Sequence, residues 1–254
     1  MKNATSSLPT STVSPARVQL YEPSQRPTYR DGTHCIITPW GKCKVAGRLG
    51  QRHADVMDAL LFNAHMKRRL SDGAIELLVD PAKVRRSLSD NQYSYSQIEK
   101  LLREIRGATI TIDLPQFDSP IIGGLIDHVV PCEAPGAPLH NPLSGEKRNW
   151  WSVRIGIAMR LLLANDLTLF YNPAPIARLK HGITQAVARH VLTHRMSPPA
   201  GWHIDSLIGA VTDNPSADVL KKSRARLVEE ADDLKKMGIE IDAETKRVHK
   251  RSSD

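Results

Sequence analysis

His190 and His194, one helical turn apart in His190-Val191-Leu192-Thr193-His194, are the nearest approach to a metal-ligating pair in this 254-residue chain. Two such imidazoles can chelate zinc. Val191, however, stands where a zinc protease needs its general-base glutamate, and a histidine pair on a helix surface is the plainer reading. Cys35, Cys43 and Cys132 with His34 or His128 lack the Cys-x-x-Cys spacing of a zinc site. They are also too few for a disulfide framework. A Cys35–Cys43 pair across a hairpin is geometrically conceivable, but separate thiols in a reducing compartment fit better. Ser144-Gly145-Glu146-Lys147 lacks the leading glycine and the following hydroxyl of a phosphate-cradling loop. No His-x-His occurs among the ten histidines, which removes the metal-and-tyrosine arrangement of a rolling-circle nicking enzyme. Gly-x-Ser-x-Gly is absent too. The expectation is a protein that binds rather than catalyses, with no metal and no cofactor.

Charge indicates what it binds. The chain has 35 Lys or Arg against 27 Asp or Glu, a net of +8, which suits an anionic partner. The excess is uneven: residues 34–107 hold 13 basic and 8 acidic residues, whereas residues 108–215 hold 8 of each. No window approaches the roughly 18 consecutive apolar residues of a spanning helix. The opening MKNATSSLPTSTVSPARVQ has no apolar stretch behind its single lysine, so a soluble, unexported, cytoplasmic protein is expected.

The elements that would position a binding surface fall into two stretches. Residues 1–33 are rich in Ser, Thr and Pro and read as a disordered tail, and residues 250–254 as a frayed terminus. In the first stretch, residues 34–170, Cys35-Ile36-Ile37 and Cys43-Lys44-Val45 flank a hairpin turn. Val56, Met57, Leu60, Leu61 and Ala64 mark one helix face, with Lys67-Arg68-Arg69 at the helix end before Ser71-Asp72-Gly73. Residues 74–79 form a strand, and Asp80-Pro81 opens a short helix to Ser87 or Leu88. Ser96-Gln97-Ile98-Glu99 reads as a capping box for a third helix, with Ile98, Leu101, Leu102 and Ile105 on its apolar face. Strands over 109–112, 121–130 and 150–157 follow, with a long loop at 131–149.

The second stretch, residues 171–249, repeats the order more compactly. Ile183, Val187, Ala188 and Val191 mark a helix, and Ile204, Leu207, Ile208 and Val211 mark another. A third runs from Asn214-Pro215 past Leu220, Leu227, Ala231 and Leu234 to Gly238. Residues 239–241 and 247–249 form a small two-stranded wing. Both stretches have the element order of a winged helix-turn-helix, so the expected fold class is α+β, with two tandem winged helix-turn-helix domains.

In such a module the third helix enters the major groove and the wing lies along the backbone or minor groove. The first module presents Tyr95, Gln97, Lys100 and Arg103 there. Gln can pair with adenine, Arg with guanine, and Lys or Tyr with phosphate. The second presents Lys221, Lys222, Arg224 and Arg226, then Glu229, Glu230, Asp232 and Asp233, while Lys246 and Arg247 sit at its wing. The bland alternative is a pair of solvated, salt-bridged helix faces. For Lys67-Arg68-Arg69, phosphate contact and simple complementation of a helix dipole weigh equally.

With Tyr171-Asn172-Pro173 leading into Ile183-Thr184-Gln185-Ala186-Val187-Ala188-Arg189, and Leu220-Lys221-Lys222-Ser223-Arg224-Ala225-Arg226-Leu227 leading to its Gly238 exit, the chain resembles plasmid replication initiators of the tandem winged-helix, iteron-binding type. That resemblance implies a non-enzymatic bacterial protein whose monomers bind direct repeats in double-stranded origin DNA and open an adjacent A+T-rich segment. It further implies recruitment of the host initiator and replicative helicase, and a homodimer that represses its own gene and so controls copy number. Lys221, Lys222, Arg224 and Arg226 would make the main groove contacts, with Gln97, Lys100 and Arg103 in a neighbouring groove or the first module supporting dimerisation. The long segment 131–149 departs from a compact first module. Two other readings are a winged-helix transcriptional repressor with no replication role, and an adaptor whose helix faces bind protein.

Overall fold

A computed structural model describes residues 11–12, 19–38, 41–88, 93–133, 140, 145, 149–165 and 168–251. The short strand β1 (Ser11–Thr12) precedes the hairpin of β2 (Arg30–Thr38) and β3 (Gly41–Gly47). Then come α1 (Gln51–Phe62), β4 (Ala64–Arg69), β5 (Ile75–Val79), α2 (Pro81–Leu88) and α3 (Tyr95–Gly107). The module continues with β6 (Thr109–Asp113), β7 (Ile121–Gly123), β8 (Ile126–Cys132), β9 (Trp150–Ile155) and α4 (Ile157–Asn165). Its strands form two four-stranded sheets, in the orders β2-β3-β6-β7 and β4-β5-β9-β8. The helices pack their apolar stripes on these sheets, so Met57, Leu60, Leu77, Val84, Ile98, Ile105 and Ile110 share one core.

β10 (Thr168–Leu169) pairs with β1 and leads into the second module. This contains α5 (Ala174–Ala177), α6 (Gly182–Leu192), β11 (Trp202–His203), α7 (Ile204–Val211), α8 (Ala217–Glu229), α9 (Ala231–Lys236), β12 (Ile239–Asp242) and β13 (Arg247–Lys250). The expected wing, β12 with β13, gains β11 as a third strand. Ile183, Val187, Val191, Leu207, Ile208, Leu227, Leu234 and Val248 form the second core. The fold is α+β, as expected. Among the described residues no helix is long and apolar enough to cross a membrane.

A buried polar network joins the two cores through α1 and α6. Arg189 donates from Nε to Asp58 Oδ2 at 3.1 Å, from Nη2 to Asp55 Oδ1 at 2.5 Å and from Nη1 to Gln51 Oε1 at 2.7 Å. Gln185 Nε2 donates to Asp55 Oδ2 at 3.1 Å, the Tyr171 hydroxyl donates to Asp58 Oδ2 at 2.7 Å, and Tyr93 donates to Asp55. Burial disfavours the Arg189 cation, but Asp55 and Asp58 outweigh it and hold the guanidinium charged. Burial, then the charge of Asp58, pushes the Tyr171 hydroxyl well above its ordinary value, so it stays protonated and donates.

Several expectations are corrected. Lys67-Arg68-Arg69 lies on the edge strand β4 rather than at a helix end, because the apolar stripe lapses after Leu61 and residues 64–69 pair antiparallel with β5. α1 ends at Phe62, where Asn63 caps it by donating from its backbone N and Nδ2 to the Ala59 carbonyl. The capping box of α3 sits two residues earlier: Gln97 N donates to Ser94 Oγ at 3.2 Å and Ser94 N to Gln97 Oε1 at 2.7 Å. The strand expected over 121–130 divides into β7 and β8 in different sheets. Gly124 lies at the crossing, and a side chain on Gly156 would strike its carbonyl. The third helix of the second module breaks at Glu230, whose buried carboxylate accepts from Lys180 N at 2.5 Å and His181 N at 3.3 Å.

Ser11–Thr12 and residues 19–33, expected to lie in a disordered tail, are ordered parts of the fold. Leu20 and Tyr21 are buried in the first core, and Gln25 Nε2 donates to the Leu179 carbonyl at 3.1 Å in the second module. Residues 1–10 and 13–18 lie outside the described residues, as do 252–254 and most of the loop expected at 131–149. Lys250, assigned to the frayed terminus, belongs to β13, and its Nζ donates to the His194 carbonyl at 2.5 Å. The cysteines are free, and burial pushes the Cys43 thiol up to about 12.

Replacing Arg189 with alanine strands two buried carboxylates, so stability should fall by about 3–5 kcal/mol, read as a lower urea midpoint. An unchanged midpoint would show that the network does not hold the modules together. His53 offers a pH test. Its imidazole accepts from Gly50 N at 3.0 Å and its Nε2 meets Glu104 at 2.8 Å, yet burial outweighs that contact and holds it below its ordinary 6.5. The unfolded chain therefore takes up the proton first. Stability should fall as the pH drops below about 6.5 and stay level above it, and His53→Gln should flatten the difference between urea midpoints at about pH 5.5 and about pH 7.5.

Candidate nucleic-acid interface

Helix α3 is amphipathic in the strict sense: Ile98, Leu101, Leu102 and Ile105 are buried, which turns Lys100 and Arg103 to solvent on the far side. Tyr95 opens the helix and is 44% exposed, with the Arg85 guanidinium 5.2 Å from its ring centre. Gln97 is exposed, but its side-chain oxygen is held by the Ser94 amide. To read a base, Gln97 would have to give up the cap. Arg103 also borders a groove of about 510 Å³ between α3 and β8, lined by Leu102, Arg106, His128, Val130 and Trp151. Arg106 Nε is anchored there on the Asp127 carbonyl at 3.1 Å.

Helix α8 begins at Ser216, whose hydroxyl accepts from Val219 N at 3.4 Å. Ser223 and Leu227 face inward, so Lys221, Lys222 and Arg226 are exposed. Arg224 is half-buried and pairs through Nε with Asp205 Oδ1 of α7 at 3.1 Å, so its charge is already committed within the protein. The break at Glu230 places Asp232 and Asp233 on a separate helix, α9. The acidic half of the expected long helix is therefore not continuous with the basic half.

The wing tip is tightly tied. Asp242 accepts from Glu244 N at 2.9 Å, Thr245 N at 3.1 Å and the Thr245 hydroxyl at 2.5 Å, and the Thr245 side-chain bond, then its backbone bond, hold that carboxyl below the usual carboxylate range. Lys246 follows with a left-handed φ of 54°, exposed, while its carbonyl accepts from Ile204 N at 3.0 Å at the start of α7. Arg247 is half-buried, and its Nη1 donates to the Gly201 carbonyl at 3.5 Å. Of the ten sequence-derived candidates, Lys100, Arg103, Lys221, Lys222, Arg226 and Lys246 thus project freely, while Tyr95, Gln97, Arg224 and Arg247 already have partners within the chain.

His190 and His194 approach with their Nε2 atoms 3.4 Å apart, and His194 packs on Trp202 at 5.2 Å between ring centres. Among the described residues no group of three His, Cys, Asp or Glu side chains is placed to hold a metal ion. Sequence reasoning missed Arg189 and its acidic partners; the available signal was an arginine set within the apolar run of α6.

No family model matches the chain, and no curated protein matches it in sequence. Among solved structures it is similar to domain 2 and domain 3 of RctB. For a crystal structure of their selenomethionine derivatives the TM-score is 0.58 at 12% identity, covering 87% of this chain and 85% of that one. For a second crystal structure of the same domains the TM-score is 0.52 at 12% identity, covering 87% and 81%. At that identity the likeness is one of fold, and that fold is of the winged-helix type.

Proposed function

We propose that this chain binds double-stranded DNA at a replication origin and acts there as an initiator, by binding and not by catalysis. RctB is a replication initiator of Vibrio chromosome II, and likeness to two of its domains over 87% of this chain supports the reading. The observation that carries it is the face of α8, where Lys221, Lys222 and Arg226 project away from the core; the wing of the same module presents Lys246. A helix exposing cations in this way suits the major groove, where lysine and arginine find guanine edges and flanking phosphates. The RctB likeness supports an initiator fold and not the iteron-binding plasmid type in particular. Direct repeats, opening of an A+T-rich segment, recruitment of a host initiator and helicase, and a self-repressing dimer are the finer part of the proposal.

Selection of bound fragments from random duplex DNA, followed by affinities across a salt series, tests the reading. Phased repeated sites with a steep salt dependence are expected; a lone palindrome would favour a repressor, and no enrichment would end the DNA reading. The double substitution Lys222→Glu with Arg226→Glu should weaken specific binding by about 30-fold or more while leaving the unfolding midpoint in place, since each good base contact is worth about 1–3 kcal/mol. Unchanged binding would remove α8 from the interface. Gln97→Ala separates the two uses of that side chain: lower stability with unchanged sequence preference marks it as a cap, and relaxed preference marks it as a base reader.

A further inference from the structure

The first module carries a second set of cations that a third-helix reading leaves out. Helix α2 buries Pro81, Val84 and Leu88, and this stripe turns Lys83 and Arg86 to solvent. Arg85 is half-buried, with its guanidinium carbon 5.2 Å over the ring of Tyr95, the first residue of α3. Arg52 of α1 sits in the same way over Tyr93, at 5.6 Å. Some other arginines of the chain meet carboxylates: Arg224 pairs with Asp205, Arg68 with Glu76 and Arg30 with Glu22. Among the described residues Lys83, Arg85 and Arg86 have no such carboxylate partner.

A guanidinium seated on a ring face loses little freedom when its outer N–H groups engage an anion, because the stack has already fixed it. Phosphate is the anion whose oxygens match that fork. The element before a recognition helix crosses the nucleic-acid backbone, so α2 is placed where phosphates run.

We propose that α2 is a phosphodiester clamp. Lys83, Arg85 and Arg86 grip the backbone beside the groove that α3 faces, and Tyr95 acts as a positioning residue that holds Arg85 rather than as a contact of its own. This rests on the duplex-DNA reading above. It assigns the first module a sequence-independent grip.

The test is the salt dependence of duplex-DNA affinity for the full chain. Arg85→Ala with Arg86→Ala should lower the slope of log K against log salt by about 1.8, two contacts at about 0.9 each, with the ranking of DNA sequences unchanged. Arg85→Lys with Arg86→Lys should restore the slope. Tyr95→Leu should leave the slope alone and weaken binding by about 2- to 5-fold. A steep wild-type slope that the alanine pair does not alter overturns the clamp and leaves the DNA reading standing. A flat wild-type slope overturns both. A changed ranking of sequences in the alanine pair overturns the clamp in favour of base reading by α2. Comparing the unfolding midpoints of the alanine and lysine pairs separates a lost contact from a lost fold.

Discussion

Arg189 sits where the two cores meet, and its charge decides how α1 and α6 can lie against each other. Taking an ion out of water costs several kcal/mol even after relaxation, and a paired ion recovers that only when its geometry is complete. Here it is complete. Three guanidinium nitrogens each find a different oxygen on α1, and the carboxylates that receive them are closed off by Gln185, Tyr93 and Tyr171. A hydrophobic seam tolerates sliding because its attraction has no direction. This seam does not, since a shift of one helical turn would leave a buried charge facing carbon. The segment 19–30 reinforces the same junction, with Leu20 in the first core and Gln25 reaching the second. Two winged helices held in this way form one body rather than two modules on a tether.

Carboxylates also set the aim of the exposed helices. Glu230 turns inward to take the Lys180 and His181 amides, and at that residue α8 ends. Had the helix continued, Asp232 and Asp233 would have followed the axis of Lys221, Lys222 and Arg226 and lowered the local field. Asp205 likewise draws Arg224 against α7. The basic face of α8 is therefore a remainder, composed of the cations that the chain's own acids do not reach. On the first module α2 and α3 leave a larger remainder, because Glu104 is occupied by His53 and Glu99 is the only other acid on α3.

How much of this was legible in the sequence depends on which force shapes each element. Helices α1, α3, α6, α7 and α8 announce themselves because one apolar stripe must face a core, and a period of 3.6 survives any tertiary arrangement. The wing of β12 and β13 was legible for the same reason at a period of two. Strand β4 was not, because Lys67, Arg68 and Arg69 alternate nothing; the strand exists through its pairing with β5. Helix α4 was hidden by its composition, since Ile157-Ala158-Met159-Arg160-Leu161-Leu162-Leu163 is apolar nearly all round and runs on from β9. Leu20 and Tyr21 are single anchors in a polar segment, which no window average detects. The polar side chains of the candidate interface were visible as residues. Which of them are already spent on Asp205, Gly201 or a helix cap is a property of the fold.

That distinction bears on how a rigid pair of modules would discriminate between DNA sequences. A phosphate contact adds affinity everywhere on a duplex, whereas a base contact adds it at one register. If both modules read bases, the fixed α1–α6 junction would demand that two readings agree in spacing and rotation, and any mismatch would strain the buried ions. If the first module grips phosphate through α2 while α8 reads bases, the junction needs only to bring a backbone within reach, and phosphates recur along the whole duplex. The second arrangement is the less demanding of a rigid body. It also matches where the charge lies, with the larger unpaired set on α2 and α3 and a smaller, more closely supported set on α8 and the wing.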